Sequence, residues 1–238
     1  PLLISEMTLL TALRTAATCA LAAKYLARNN SKTVGIVGTG SQSEFQILAL
    51  KSIFNIETVR YFDIDAVAMQ KFKNNLSEFN LSLVACDDAK STVEGVDIIV
   101  TATADKQRLT ILENDWIKPG MHINGVGGDC PGKTELDPGI LDRVKIVVEY
   151  LEQSKLEGEI QNLSKEPYAE LWELITKKKA ARESEKEMTL FDSVGFALED
   201  YTVLKFFYSL SEKFNIGEKI DVIPGIADPK DLFGLLRY

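Results

Sequence analysis

Thr33-Val34-Gly35-Ile36-Val37-Gly38-Thr39-Gly40-Ser41-Gln42-Ser43 decides the fold. An apolar, β-branched run ends in Gly-x-Gly, and a helical pattern begins at once. Glycine at 38 permits a tight strand-to-helix turn, and glycine at 40 lets the backbone approach a pyrophosphate with no Cβ between them. The helix start beyond offers free N–H groups and a partial positive charge to the phosphates. Ser43 occupies the place of a third glycine and is small enough for close helix–strand packing. Asp63, at the end of the next apolar run, answers the motif. A carboxylate there accepts hydrogen bonds from both ribose hydroxyls of NAD and repels the extra phosphate of NADP, and no Arg follows it. Asp65 is the alternative ribose partner; FAD, or a glycine turn that binds nothing, is the alternative to NAD.

Outward from this stretch, strands and helices alternate. Strands are expected at 33–37, 58–62, 81–85, 97–101, 121–124 and 144–148, and helices at 8–28, 42–54 and 66–79, with a short one near 88–93. Continuous apolar strands interleaved with helices imply a Rossmann-type α/β fold, a doubly wound parallel sheet covered on both faces. Beyond Tyr150 the pattern turns helical, most strongly at 168–178 and 194–214, and 224–229 reads as a turn-rich connector. The organisation expected is a helix over 1–30, a dinucleotide-binding domain over 31–192, and a returning helix and tail over 193–238. Pro1 to Ile4 read as the end of a strand with no partner upstream, so a further N-terminal segment is expected.

A formal net charge of −8 argues against a nucleic-acid surface. The basic cluster Lys177-Lys178-Lys179 with Arg182 is followed by Glu183, Glu185 and Glu187, and reads as a solvated helix face. Cys19, Cys86 and Cys130 form no CxxC pair, which suits a reducing, cytoplasmic compartment and gives no zinc site. The single histidine, His122, falls inside an expected strand and reads as structural, which disfavours a Ser-His-Asp triad. No apolar run reaches membrane-spanning length, and no signal peptide is present.

A second loop carries chemistry. Asn124-Gly125-Val126-Gly127-Gly128-Asp129 runs off the end of the fifth strand and continues as Cys130-Pro131-Gly132-Lys133-Thr134-Glu135-Leu136. Ligands of open α/β sheets bind outside the carboxyl ends of the strands. The glycines let the backbone lie against a flat ring, and Asp129 beside that ring has the chemistry to exchange a proton with a substrate amine. Lys133 has the reach for a phosphate, a ribose or a substrate carboxylate, or pairs with Glu135. The small residues Thr101-Ala102-Thr103-Ala104 leave room on the nicotinamide side. An ordinary Gly/Pro turn and a bland loop are the alternatives.

On these residues the chain resembles the ornithine cyclodeaminase/mu-crystallin family. The matching pieces are Leu13-Arg14-Thr15-Ala16-Ala17, Gly38-Thr39-Gly40-Ser41-Gln42, the 127–136 loop, Asp192-Ser193-Val194-Gly195 and Pro229-Lys230-Asp231-Leu232-Phe233. The resemblance implies conversion of L-ornithine to L-proline and ammonia, with NAD used and regenerated in each turnover. It implies Arg14 on the substrate α-carboxylate, Val194 on the substrate through its backbone, and Asp129 as proton donor and acceptor. It further implies Thr15, Ser41, Gln42, Asp63, Thr103, Val126, Gly127, Gly128, Lys133 and Ser193 around NAD, and a homodimer formed through an N-terminal substrate domain. From the residues alone, Arg14 reads as a helix-surface charge and Ser193 as a helix N-cap. Two rivals remain: a net amino-acid dehydrogenase or ketimine reductase, and a non-enzymatic dinucleotide-binding protein.

Overall fold

The computed structural model describes residues 2–104, 110–128, 130–163, 165–220, 230, 231 and 233. Asp129, the 224–229 connector, and Pro229 and Leu232 of the 229–233 match lie outside the described residues. In chain order the elements are α1 (Thr8–Leu26), β1 (Thr33–Val37), α2 (Ser43–Ile53), β2 (Thr58–Phe62), α3 (Ala66–Leu76), β3 (Ser82–Ala85), α4 (Ala89–Val93) and β4 (Ile98–Thr101). There follow β5 (His122–Gly125), α5 (Pro138–Leu141), β6 (Lys145–Val148), α6 (Leu151–Glu157), β7 (Ala169–Glu170), α7 (Leu171–Ile175), β8 (Thr189–Asp192) and α8 (Ala197–Phe214).

Among the described residues, eight strands form one parallel sheet, in the order β3-β2-β1-β4-β5-β8-β6-β7. This is the doubly wound α/β fold that the apolar runs predict. Successive side chains divide between the two faces, as a strand requires. Ile98 and Val100 join Val34, Ile36, Ile47 and Leu50 on one face, while Ile99 joins Ile123, Ile146 and Leu190 on the other. On the first face α1 crosses α2, and its small Ala20, Ala22 and Ala23 are fully buried. Alanine at those positions lets the helix backbone lie close to its neighbours without side-chain entropy loss.

Four expectations need correction. Residues 2–4 form no strand. The stretch 168–178 is not one helix: β7 occupies its start, and α7 ends at Ile175 before Lys177, which has φ of +58°. The basic cluster is therefore not a helix face. Arg182 is turned inward, donating to the carbonyls of Leu26 and Glu187 at 2.6 Å each, so it ties the end of α1 to the approach to β8. Finally, β8 is a strand that no apolar run announced, and it inserts between β5 and β6. His122 is structural, as expected. It is fully buried, bridges Thr189 and Asn124 at 2.9 and 3.0 Å, and burial pushes its pKa down to about 3, so the ring stays neutral.

Candidate active site at the carboxyl edge of the sheet

β1 and β4 are neighbours, and the chain leaves them in different directions, which opens a crevice at their carboxyl ends. Gly38 occupies this point with φ of +98°, and a Cβ there would lie 2.6 Å from the carbonyl carbon of Ala102 and 2.9 Å from Thr103 N. Only glycine fits such a turn. Gly40 is the opposite case: it is exposed, and a Cβ on it would meet nothing within 4 Å. The space over Gly40 is thus open at the start of α2, where Gln42 takes the N-cap position and makes no side-chain cap. Ser43 is fully buried and donates to Gly40 O at 2.7 Å, the packing role expected of the small third residue. Lys71 of α3 also donates to Gly40 O and pairs with Glu44 at 2.8 Å, bracing the turn from outside.

Asp63 leaves the end of β2 toward the glycine turn. Its Oδ2 accepts from Thr39 N at 2.6 Å and its Oδ1 from Asp65 N at 2.9 Å. Oδ2 also accepts from the Thr39 hydroxyl at 3.2 Å, while Oδ1 keeps a second lone pair, so capacity for a ribose hydroxyl remains. Asp65 caps α3, one of its oxygens accepting from Val67 N. An open Gly40, an uncapped helix start and a carboxylate with spare acceptor capacity fit a nicotinamide dinucleotide.

The second loop packs directly beside this cradle. Val126 N donates to Thr101 O, and Gly125 O accepts from Ser193 N, both at 2.9 Å. Lys133 is buried, and its Nζ donates to Thr103 O at 2.8 Å. Glu135 accepts from Thr103 N at 2.9 Å and from the Thr103 hydroxyl. A Cβ on Gly127 would overlap the Glu135 carboxyl, so that glycine is required by the carboxylate as well as by any flat ligand. Gln161 accepts from Gly132 N at 2.6 Å and donates to Lys133 O at 3.0 Å, fixing the loop from the α6 side. Thr103, Val126, Gly127, Gly128 and Lys133 are thereby brought together, with Asp129 outside the described residues.

The third group gathers where α1 meets the β8–α8 turn. Arg14 Nη1 lies 3.0 Å from Glu199 and its Nε 3.0 Å from Asp200. It is a partly buried ion pair, not the helix-surface charge its helical setting suggests. Thr15 is buried and Val194 half-buried nearby. Ser193 does not cap α8, whose N-cap is Phe196; its hydroxyl donates to Glu149 at 2.8 Å instead. Glu149 also accepts from Gly195 N, and burial, with Glu199 nearby, raises its pKa. Cys19, beneath this group, is pushed up to about 12 by burial and is no nucleophile at neutral pH. From here an open apolar groove runs between α1, α7 and α8, past Leu13, Trp172, Leu198 and Phe206.

Sequence reading missed Glu149, Glu159 and Gln161, and it quoted Asp192 within the family match without giving it a role. The available signal was positional and held for Glu149 alone, which follows the apolar run of β6 at the carboxyl edge. Burial raises Glu159 to about 8 and Asp192 to about 7, and it raises Glu135 as well. The unfolded chain releases the Glu159 and Asp192 protons near pH 4, whereas the folded chain holds those two to pH 7–8. Raising the pH through that window therefore favours unfolding. Tm is expected to fall between pH 5 and 8, with a shallower slope in Asp192→Asn. A Tm that rises across that range contradicts these protonation states. Asp97 has the opposite sign, since backbone donors from Lys32 and Thr33 outweigh its burial and lower its pKa. Its contribution is lost only below about pH 4.

Fold and cradle define a dinucleotide-binding α/β protein. The sequence profile of the ornithine cyclodeaminase/mu-crystallin family matches residues 1–214, and the chain belongs to that family. It is 51% identical to the ornithine cyclodeaminase of Agrobacterium fabrum (strain C58), over 99% of this chain and 67% of that protein. Among solved structures, a lysine cyclodeaminase described for recognition of L-lysine, L-ornithine and L-2,4-diaminobutyric acid superposes with a TM-score of 0.89 at 31% identity, covering 97% of this chain and 67% of the other. An archaeal alanine dehydrogenase dimer with bound NAD superposes with a TM-score of 0.86 at 39% identity, over 91% and 69%. The chain thus spans about two thirds of the length of these proteins.

Proposed function

We propose that this chain is the larger part of an ammonia-lyase that converts L-ornithine to L-proline and ammonia with catalytic NAD. The observation that carries this reading is the 51% identity to an ornithine cyclodeaminase over 99% of this chain. Gly38, Gly40, Ser41 and Gln42 receive the diphosphate, and Asp63 the adenosine ribose. Thr103, Val126, Gly127 and Gly128 line the nicotinamide side; Thr15, Lys133 and Ser193 complete it. When bound, NAD supplies a reversible two-electron oxidation at the substrate Cα.

Arg14 takes the α-carboxylate. Of its two present partners, Asp200 is the more exposed, with 36% of its side chain open against 14% for Glu199, and it is the one a bidentate carboxylate would displace. The Val194 backbone orients the substrate beside it. Asp129 takes a proton from the α-amine and returns it later. Together these residues hold the substrate so that its δ-amine reaches Cα. Closure within one molecule gains an effective molarity on the order of 10⁵ M or more. A cytoplasmic homodimer in proline biosynthesis accompanies this reading, supported by the dimeric alanine dehydrogenase and by three free cysteines.

The test uses the full-length protein, L-ornithine and NAD far below the substrate concentration. Proline and ammonia in equal amounts, exceeding the NAD supplied and without NADH build-up, are expected. The alanine dehydrogenase likeness favours a second reading, net oxidative deamination. Accumulating NADH and an oxo acid would establish it and overturn the cyclisation.

A further inference from the structure

Three buried carboxylates stand in series across the site, and each holds the backbone that carries the next. Asp192, at the end of β8, accepts from Glu159 N at 2.9 Å and Ile160 N at 3.2 Å. Glu159 accepts from Glu135 N at 2.8 Å and Leu136 N at 3.1 Å. Glu135 in turn accepts from both the N–H and the hydroxyl of Thr103. All three residues are at most 2% exposed. Two glycines make room for the series: a Cβ on Gly158 would overlap Asp192, and one on Gly127 would overlap Glu135.

The series ends on the two segments that line the nicotinamide side. Glu135 follows Asp129 in the same loop, and Thr103 follows β4. A second tie, Lys133 Nζ to Thr103 O at 2.8 Å, runs parallel to it. The Thr101 hydroxyl at the end of β4 also faces the Glu135 carboxyl.

We propose that Glu135 is a positioning residue for the reaction. It latches the 127–136 loop to Thr103 and so sets where the Asp129 loop stands relative to the nicotinamide side, with Glu159 and Asp192 holding the latch in register. This rests on reading 127–136 as the catalytic loop. The latch works as an acceptor, so an amide of the same shape should serve. In Glu135→Gln the oxygen still accepts from Thr103, and the amide nitrogen can donate to Thr101. Glu135→Met keeps the length and removes the acceptor.

The experiment compares both variants in the full-length protein, with Thr103→Val cutting the hydroxyl half of the latch from the other side. Glu135→Gln is expected to keep kcat within about threefold of the parent. Glu135→Met should lose about 30-fold or more in kcat, with a smaller change in KM, because an ångström of misplacement costs about 10²-fold. Thr103→Val should fall between them. Hydrogen exchange gives a readout that needs no turnover: amides of 103, 135 and 136 should exchange faster in Glu135→Met and Thr103→Val, while those of β1 and β2 stay protected. Parent-like kcat and exchange in both of these variants would overturn the latch. So would a Glu135→Gln variant as defective as Glu135→Met, since charge rather than an acceptor would then be needed. If Glu135→Met does not fold, Thr103→Val and Glu135→Gln decide the question. If the parent fails to convert ornithine, the functional reading fails, and the exchange data still test the latch.

Discussion

Asp129→Asn is expected to lower ornithine turnover by about 10²–10⁴-fold, the range that a positioned acid–base group supplies. Affinity for NAD should stay within about twofold, since the cradle at Gly38, Gly40 and Asp63 is built on β1, α2 and β2. The segments either side of Asp129 are held firmly. Before it, Gly128 packs so closely that a Cβ would lie 3.3 Å from Glu159 N. After it, Lys133 N donates to Cys130 O at 3.2 Å, and Gln161 braces Gly132 and Lys133. A loop fixed at both ends does not relax to bring another carboxylate into place, and the carboxylates beneath it, Glu135 and Glu159, are buried and already bonded to backbone. Single-turnover and steady-state assays with a separate NAD titration check this. Turnover unchanged in Asp129→Asn would sink the assignment.

Gly38→Ala and Gly40→Ala should part company. At 38 the added methyl meets the fixed Ala102 carbonyl at the end of β4, and the φ of +98° is itself unfavourable for alanine. Left-handed backbone and overpacking together cost about 2 kcal/mol or more. Tm should drop by about 4–8 °C for a chain of this size, and the Kd for NAD should rise roughly thirtyfold if the same strain opposes the bound form. At 40 the methyl enters open space, so Tm should hold within about 1 °C. NAD binding should still weaken about tenfold, because that space is where the diphosphate would lie. Thermal unfolding alongside calorimetric titration separates the two. Full NAD affinity in Gly40→Ala would move the diphosphate elsewhere.

The sequence by itself determined the local grammar. Thr33–Val37 and Thr58–Phe62 begin and end where their apolar runs do. The Gly-x-Gly turn and Asp63 occupy the places that motif spacing demands, because a strand, a tight turn and a helix start are all written within one short stretch. Tertiary structure decided what depends on partners far along the chain. β8 is only four residues long and follows an acidic stretch, and it is a strand because β5 and β6 supply hydrogen bonds on both sides. Lys177 ends α7 early so that Arg182 can reach the carbonyl of Leu26. Arg14 reads as a surface charge until α8 brings Glu199 and Asp200 against it. The Asp192–Glu159–Glu135 series was invisible for the same reason. A lone carboxylate in a sequence reads as solvated, and only burial together with donors from distant segments turns these three into the supports of the site: two backbone N–H groups each for Asp192 and Glu159, and the N–H and hydroxyl of Thr103 for Glu135.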